Sequence, residues 1–161
     1  MKIVLDAKVW IDLHIAGLDE RALALRGRIC SVDVVVEQEL LEPDGERLRS
    51  LGLEVCELDA TGVAVARQWQ GEVPELSTGD CFSLALAWRN GWRLATADGR
   101  LVRKAQAEGV PVCDTVDVLA LLAEEGQLSL IDLQLFKKLL FRAKQPYNRS
   151  KVKQLEKRLR G

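Results

Sequence analysis

The chain has 161 residues, is 48% hydrophobic and 29% charged, and carries a formal net charge of -1 at pH 7. Its length is typical of one domain that can bury a core, and its composition is ordinary for a globular protein. No apolar run reaches the roughly 18 residues that a membrane-spanning helix needs, and Asp6 interrupts the short apolar start, so we expect neither a membrane span nor a signal peptide.

The first half of the chain alternates short β-rich runs with helical patterns. Such alternation is typical of a parallel sheet covered by helices. A loop is predicted at 71–78, around Pro74. The predicted strands are 2–5, 28–32 and 53–58, and the predicted helices are 8–16, 19–26, 34–42 and 60–70.

The second half continues the alternation and then becomes helical. A mostly apolar helix is predicted at 79–90, with Gly91 as its C-terminal stop. Ser129 and Asp132 resemble a capping box that starts a helix after Gly126. We therefore expect an α/β body at 1–126 and a basic helical extension at 127–161. The remaining predicted elements are strands at 93–96 and 110–113 and helices at 99–108, 115–125, 130–142 and 149–160.

The cysteines and the single histidine exclude several kinds of site. Cys30, Cys56, Cys81 and Cys113 form no CxxC pair, and His14 is the only histidine. This pattern argues against a zinc site and against a histidine-based catalytic triad. We expect four reduced core thiols in a cytoplasmic protein.

Four acidic residues fall where an α/β fold would gather them. Asp6 and Asp98 each follow a predicted strand, Asp80 opens the helix at 79–90, and Glu39 lies in the helix after the second strand. The carboxyl ends of parallel strands meet at one edge of a sheet, so all four side chains can reach one pocket. Each also has an ordinary alternative role as a helix cap, a turn residue or part of a solvated helix face.

Clustered carboxylates indicate a bound cation. They cannot all stay ionised at one point without positive charge between them, and Mg²⁺ or Mn²⁺ prefers such oxygen ligands. We therefore predict a metal-dependent hydrolase with a nucleic acid substrate. A nucleotide-binding α/β domain is disfavoured because the chain has no GxxxxGK or GxGxxG loop.

The chain resembles the PIN-domain nucleases over about residues 2–122. Three segments carry the resemblance: VLDAKVWIDL, VVVEQELL and STGDCFSLALAWRNGWRLATADGRLVRKAQAEGVPV. The resemblance implies a three-layer α/β/α fold with a central parallel sheet and Mg²⁺- or Mn²⁺-dependent cleavage of RNA. Many small bacterial members, similar to VapC, are toxins of toxin–antitoxin pairs. The resemblance thus implies an RNA substrate, a possible antitoxin partner and a possible homodimer.

The family's acidic cluster falls on the same four positions, with Glu37 as the alternative to Glu39. Thr96 matches a hydroxyl residue that supports the last aspartate, and Asp114 matches a possible outer acid. Carried over to this chain, the catalytic and metal-binding residues are Asp6, Glu39, Asp80 and Asp98.

Lys8 is the one departure from the family pattern. Two residues after the first aspartate, the family commonly has Ser, Thr or Asn. A lysine there could form an ion pair with the carboxylates in place of a metal, point outward, or contact the scissile phosphate. The first option motivates a second hypothesis: a catalytically weak PIN-fold interaction or RNA-binding module, with the apolar helix 130–141 as its binding surface.

Charge is distributed unevenly along the chain. Residues 137–161 carry ten Lys or Arg against Glu156 alone, a net +9, while the rest of the chain carries -10. Such a basic segment is typical of a solubilising helix, a phosphate-backbone contact or a dock for an acidic partner. The predicted RNA contacts are Arg100, Arg103, Lys104, Lys151 and Lys153.

Overall fold

The computed structural model describes all 161 residues and contains one parallel five-stranded sheet. The strand order is β3-β2-β1-β4-β5, so the chain reverses direction across the sheet between β1 and β4. Ligands of open α/β sheets bind beyond the carboxyl ends of the strands at such a reversal. The strands are β1 (Ile3–Leu5), β2 (Ile29–Val32), β3 (Val55–Cys56), β4 (Arg93–Ala95) and β5 (Val112–Cys113).

Eight α-helices flank or extend this sheet. Gly91 ends α4 in the left-handed conformation, with φ 69°, as its position in the sequence predicts. None of the helices combines the length and the apolar character that crossing a bilayer requires. The helices are α1 (Ala7–Ile15), α2 (Gly45–Ser50), α3 (Ala60–Glu72), α4 (Thr78–Asn90), α5 (Gly99–Ala107), α6 (Thr115–Glu124), α7 (Leu130–Arg142) and α8 (Arg149–Arg160).

The predicted parallel sheet with covering helices is confirmed, but local details differ. The predicted helix at 19–26 is a 3₁₀ segment, Arg21–Leu25, and the predicted helix at 34–42 is a π-helical segment, Val35–Glu39. Consecutive valines at 34–36 are poor formers of regular helix, and Leu40 returns to an extended conformation. Glu39 is therefore the last residue of a short, wide turn.

The two C-terminal helices pack onto the body through one continuous core. α7 contacts α1, α8 contacts α6, and the two helices contact each other. The boundary predicted after residue 126 falls in the turn between α6 and α7. Each buried residue of α7 and α8 is at most 2% exposed: Leu133, Phe136, Leu140, Val152 and Leu155.

Candidate active site

Asp6 is a buried carboxylate at the end of the central strand. It caps α1, because its Oδ1 accepts a hydrogen bond from the Val9 N–H at 3.0 Å. Asp6 is 1% exposed, and its Oδ2 has no hydrogen-bond partner. A buried carboxylate oxygen without a donor is costly, and a bound cation would satisfy it.

The pKa of Asp6 reflects this environment. The pKa is raised to about 7, mainly by burial and to a smaller extent by the charges of Asp80 and Asp12. The Thr96 hydroxyl and the Val9 amide offset part of the rise, although Thr96 lacks hydrogen-bond geometry to Oδ2. Asp6 is therefore a group that holds a proton near neutral pH unless a cation replaces it.

Asp80 lies on the first turn of α4 in a capping box with Ser77. Its Oδ2 accepts the Ser77 N–H at 2.9 Å, and the Ser77 Oγ accepts the Asp80 N–H at 3.0 Å. Burial raises the pKa of Asp80, and the charge of Asp98 adds to the rise. The cap uses Oδ2, so the structural role of Asp80 does not occupy its whole carboxylate.

Asp98 follows β4 and caps α5. Its Oδ1 accepts the Arg100 N–H at 2.9 Å, and its own N–H donates to the Thr96 Oγ1 at 3.0 Å. Thr96 thus holds the turn that carries Asp98 while lying beside Asp6. The role of Thr96 in a metal site stays a prediction.

Glu39, rather than Glu37, lies at the acidic edge. The Glu39 Oε2 accepts the Gly79 N–H at 2.8 Å, next to Asp80 on α4. Glu37 is exposed and pairs with Arg49 at 3.1 Å. The π-helical segment therefore directs Glu39 onto the N-terminus of α4, where the helix dipole favours a negative charge.

The four carboxylates lie along one edge of the sheet but do not form a compact ligand set for one ion. No three His, Cys, Asp or Glu side chains lie close enough together to hold one ion. The donor chemistry nevertheless fits a hard divalent cation, because Asp6 Oδ2 is buried without a partner and Asp80 adds to the pKa rise of Asp6.

Lys8 pairs with Asp12 and not with any of the four predicted carboxylates, so the first of the three options for this residue is not observed. Its Nζ lies 3.7 Å from Asp12 Oδ1 and donates a hydrogen bond to the Gln145 side chain. Asp12 is 1% exposed, and its Oδ2 accepts a hydrogen bond from the Thr115 hydroxyl at 3.1 Å. Sequence reasoning missed Asp12, although its i,i+4 spacing from Lys8 on one helix was an available signal.

Asp114 is engaged in local structure. It forms a capping box with Asp117 at the start of α6, and Lys151 of α8 lies 3.1 Å from its Oδ2. Lys151 also lies 2.6 Å from Asp117. The carboxylate of Asp114 therefore anchors α8, and Lys151 is neutralised by two acids.

The other predicted RNA contacts also differ in their pairing. Lys104 lies 2.7 Å from Glu72 and 3.1 Å from Glu108. Arg100, Arg103 and Lys153 are exposed and form no ion pair. Of the five predicted RNA contacts, these three have side chains that remain available to a phosphate.

Comparisons with known proteins add the fold. No protein-family model and no curated protein matches the chain. A solved structure is similar: a PilT N-terminus domain protein, SSO1118, from the hyperthermophilic archaeon Sulfolobus solfataricus P2. The match has a TM-score of 0.55 and 15% sequence identity, and it covers 74% of this chain and 92% of that one. The chain therefore has a PIN-like (PilT N-terminus) fold, as the sequence predicted.

Proposed function

We propose that this protein is a Mg²⁺- or Mn²⁺-dependent endoribonuclease that hydrolyses RNA phosphodiester bonds at the acidic edge, defined as Asp6, Glu39, Asp80 and Asp98. The observation that carries the proposal is the unpartnered, buried Oδ2 of Asp6, at the reversal of strand order. The charge of Asp80 acts on the same group. A buried carboxylate with no donor and a second negative charge nearby destabilises the folded protein, and a bound cation would remove that cost.

The chain's own residues position the ligands. Asp6 and Asp98 are the central ligands, with Asp80 and Glu39 binding directly or through water. Ser77, Thr96 and the Gly79 amide orient Asp80, Asp98 and Glu39 in turn. A metal bound there would lower the pKa of a water molecule and neutralise charge on the phosphate. Asp6 must release its proton before it can ligate.

Exposed cations beside the acidic edge would contact the RNA. Arg100 and Arg103 lie on α5 directly after Asp98, and neither is paired with an acid. Contacts of this kind give affinity that decreases steeply with salt and carry no sequence preference. The role of a toxin restrained by an antitoxin extends the family resemblance, and a small reading frame beside the gene would support it.

The same substitution at two helix-capping aspartates tests the proposal. Asp6→Asn should abolish Mn²⁺-dependent cleavage of a labelled single-stranded RNA and remove the rise in Tm that Mn²⁺ gives the parent. Asp132→Asn is the control, because Asp132 also accepts a backbone hydrogen bond at the start of a helix but pairs with Arg21 and does not act on Asp6. Parental cleavage by the Asp6→Asn protein would overturn the assignment.

A second candidate function is a PIN-fold interaction module with weak or no catalysis. Apolar side chains on the outer face of α7 favour it, since Ile131 is 79%, Leu135 46% and Phe141 75% exposed. Exposed apolar groups of this size mark binding surfaces. Metal titration separates the two functions, because an inert module gains no stability from Mn²⁺.

A further inference from the structure

An open pocket lies between the end of α7 and the start of α8, away from the acidic edge. Its volume is about 550 Å³. Phe141, Arg142, Lys144, Tyr147 and Arg149 line it, together with Gln145 and Pro146, and no acidic residue does. We call it the basic aromatic pocket.

The cations of this pocket are not neutralised. Arg142, Lys144 and Arg149 are exposed and form no ion pair. Other basic residues of the same two helices do find acids: Lys137 lies 2.8 Å from Glu156 and Arg158 3.4 Å from Glu124. Three unpaired positive charges around one concavity produce a local field that attracts anions.

Two aromatic rings complete the pocket. Phe141 is 75% exposed, which leaves most of its ring in water. Tyr147 is half-buried and is held against the buried Phe136, with ring centroids 5.7 Å apart. An exposed ring beside unpaired cations is the combination on which single-stranded nucleic acids stack their bases while cations bind the phosphates.

The backbone at Lys144 adopts a conformation that usually requires glycine. Lys144 has φ 56° and follows the C-cap of α7, where the Gln145 N–H donates to the Leu140 carbonyl at 2.9 Å. Glycine is the residue usually found at this left-handed position, and a side chain there is strained. A lysine at a strained position beside a pocket is typical of ligand-contacting sites.

The basic aromatic pocket adjoins a second cavity. A second cavity, of about 280 Å³, shares Pro146 and Tyr147 with it. The second cavity is also lined by Thr96, Ala97 and Gly99, the residues around Asp98, and by the acids Asp12 and Asp114. The basic aromatic pocket therefore lies next to a cavity that reaches the loop carrying Asp98.

We propose that the basic aromatic pocket binds single-stranded RNA, with one base stacked on Phe141 or Tyr147 and the adjoining phosphates on Arg142, Lys144 and Arg149. The choice of RNA as the ligand rests on the proposed function at the acidic edge. Single-stranded RNA fits better than a duplex, because only an unstacked base can lie on a protein ring.

Binding without catalysis tests the proposal. Fluorescence anisotropy of a labelled single-stranded RNA, in EDTA, gives the affinity of the full chain without cleavage. Phe141→Ala should weaken binding by about fivefold or more, which corresponds to loss of one stacked base. The Arg142→Gln/Arg149→Gln variant should flatten the slope of log affinity against log salt by about 0.7 for each phosphate that is no longer neutralised.

The Lys144→Gly variant tests binding with a substitution that should not destabilise the fold. Glycine suits the left-handed conformation, so this variant should have a Tm equal to or above that of the parent and yet bind RNA more weakly. Ile131→Ala and Arg67→Gln are matched controls, because both residues are exposed and neither lines the pocket. Both should bind as the parent does.

Several results would overturn the proposal. Parental RNA affinity in Phe141→Ala and in the double arginine variant would do so, as would equal affinity of the parent for a duplex of the same sequence. Conversion of a dimeric parent to a monomer by Phe141→Ala, seen by sedimentation with RNA affinity unchanged, would assign the surface to a second copy. Failure at the pocket is distinguishable from failure at the acidic edge, because Asp6→Asn tests cleavage and the pocket variants test binding in EDTA.

Discussion

The Glu39 carboxylate lies against the backbone of Gly79, accepting its N–H at 2.8 Å. A Cβ atom added at position 79 would overlap both oxygens of that carboxylate. The absence of a side chain at Gly79 therefore lets an acid from a distant turn reach the start of α4, one residue from Asp80.

Gly79→Ala should displace Glu39 while leaving the fold intact. The clashing atoms are the end of a flexible side chain, and alanine favours the helix by up to about 1 kcal/mol, so stability should change by less than about 1 kcal/mol. Cleavage should fall to the level of Glu39→Gln. Gly71→Ala is the control, because nothing lies within 4 Å of a Cβ at that helical position. Full activity of Gly79→Ala would remove Glu39 from the site.

Asp6 should make the metal-free protein less stable as the pH rises. Its folded pKa is about 7, against an ordinary value of 3.8, so between these values the folded state binds more protons than the unfolded state. The contribution of Asp6 to stability is therefore complete below the unfolded pKa and is lost as the pH rises through about 7.

Asp6→Asn removes this titration. The variant should be more stable than the parent at about pH 8, by an amount of order 1 to 4 kcal/mol, and the difference should shrink as the pH falls below 7. Urea unfolding in EDTA across this range measures it. A parent–variant difference that does not change with pH would show that Asp6 is ionised throughout.

Lys8→Met should affect stability rather than metal binding. Lys8 lies beside Asp12 and Gln145, so its loss leaves a buried carboxylate without its cation, at a cost of about 1 to 2 kcal/mol. Adding Asp12→Asn should recover much of that cost. Lys138→Met is the exposed control. A large gain in Mn²⁺ affinity on losing Lys8 would instead mean that the lysine competes with the metal.

Substitutions of Lys151 and Lys153 should show which charge on α8 stabilises the fold and which one binds RNA. Lys151→Gln breaks the ion pairs with Asp114 and Asp117 and should lower the free energy of unfolding by about 0.5 to 1 kcal/mol, with little change in RNA affinity. Lys153→Gln should do the reverse, because Lys153 is exposed and unpaired. Thermal unfolding and anisotropy on the same two proteins decide between them, and the opposite pattern would contradict the assignment.

The sequence predicted the architecture because its signals are local and periodic. The apolar run ending at Asp6, the glycine that stops α4 and the Ser129–Asp132 capping box each specify an element within a few residues. The α/β alternation then requires a parallel sheet. The same logic placed Asp6 and Asp98 at one sheet edge, where the structure has them.

The side-chain partners could not be predicted, because they come from segments far apart in the chain. Lys8 faces Gln145, and Lys151 faces Asp114, only because α7 and α8 fold back onto the body. The π-helical turn brings Glu39, and not Glu37, to Gly79. Hydrophobic periodicity does not reveal such a turn.

By itself, the order of polar and apolar residues determined the sheet, its covering helices and the edge at which acids gather, since each depends on backbone preference and burial along the chain. The tertiary structure alone decided which charges are neutralised and which stay open, because ion pairing depends on distances between elements. Asp6 Oδ2 and the cations beside Phe141 remain without partners for that reason, and both proposed sites follow from it.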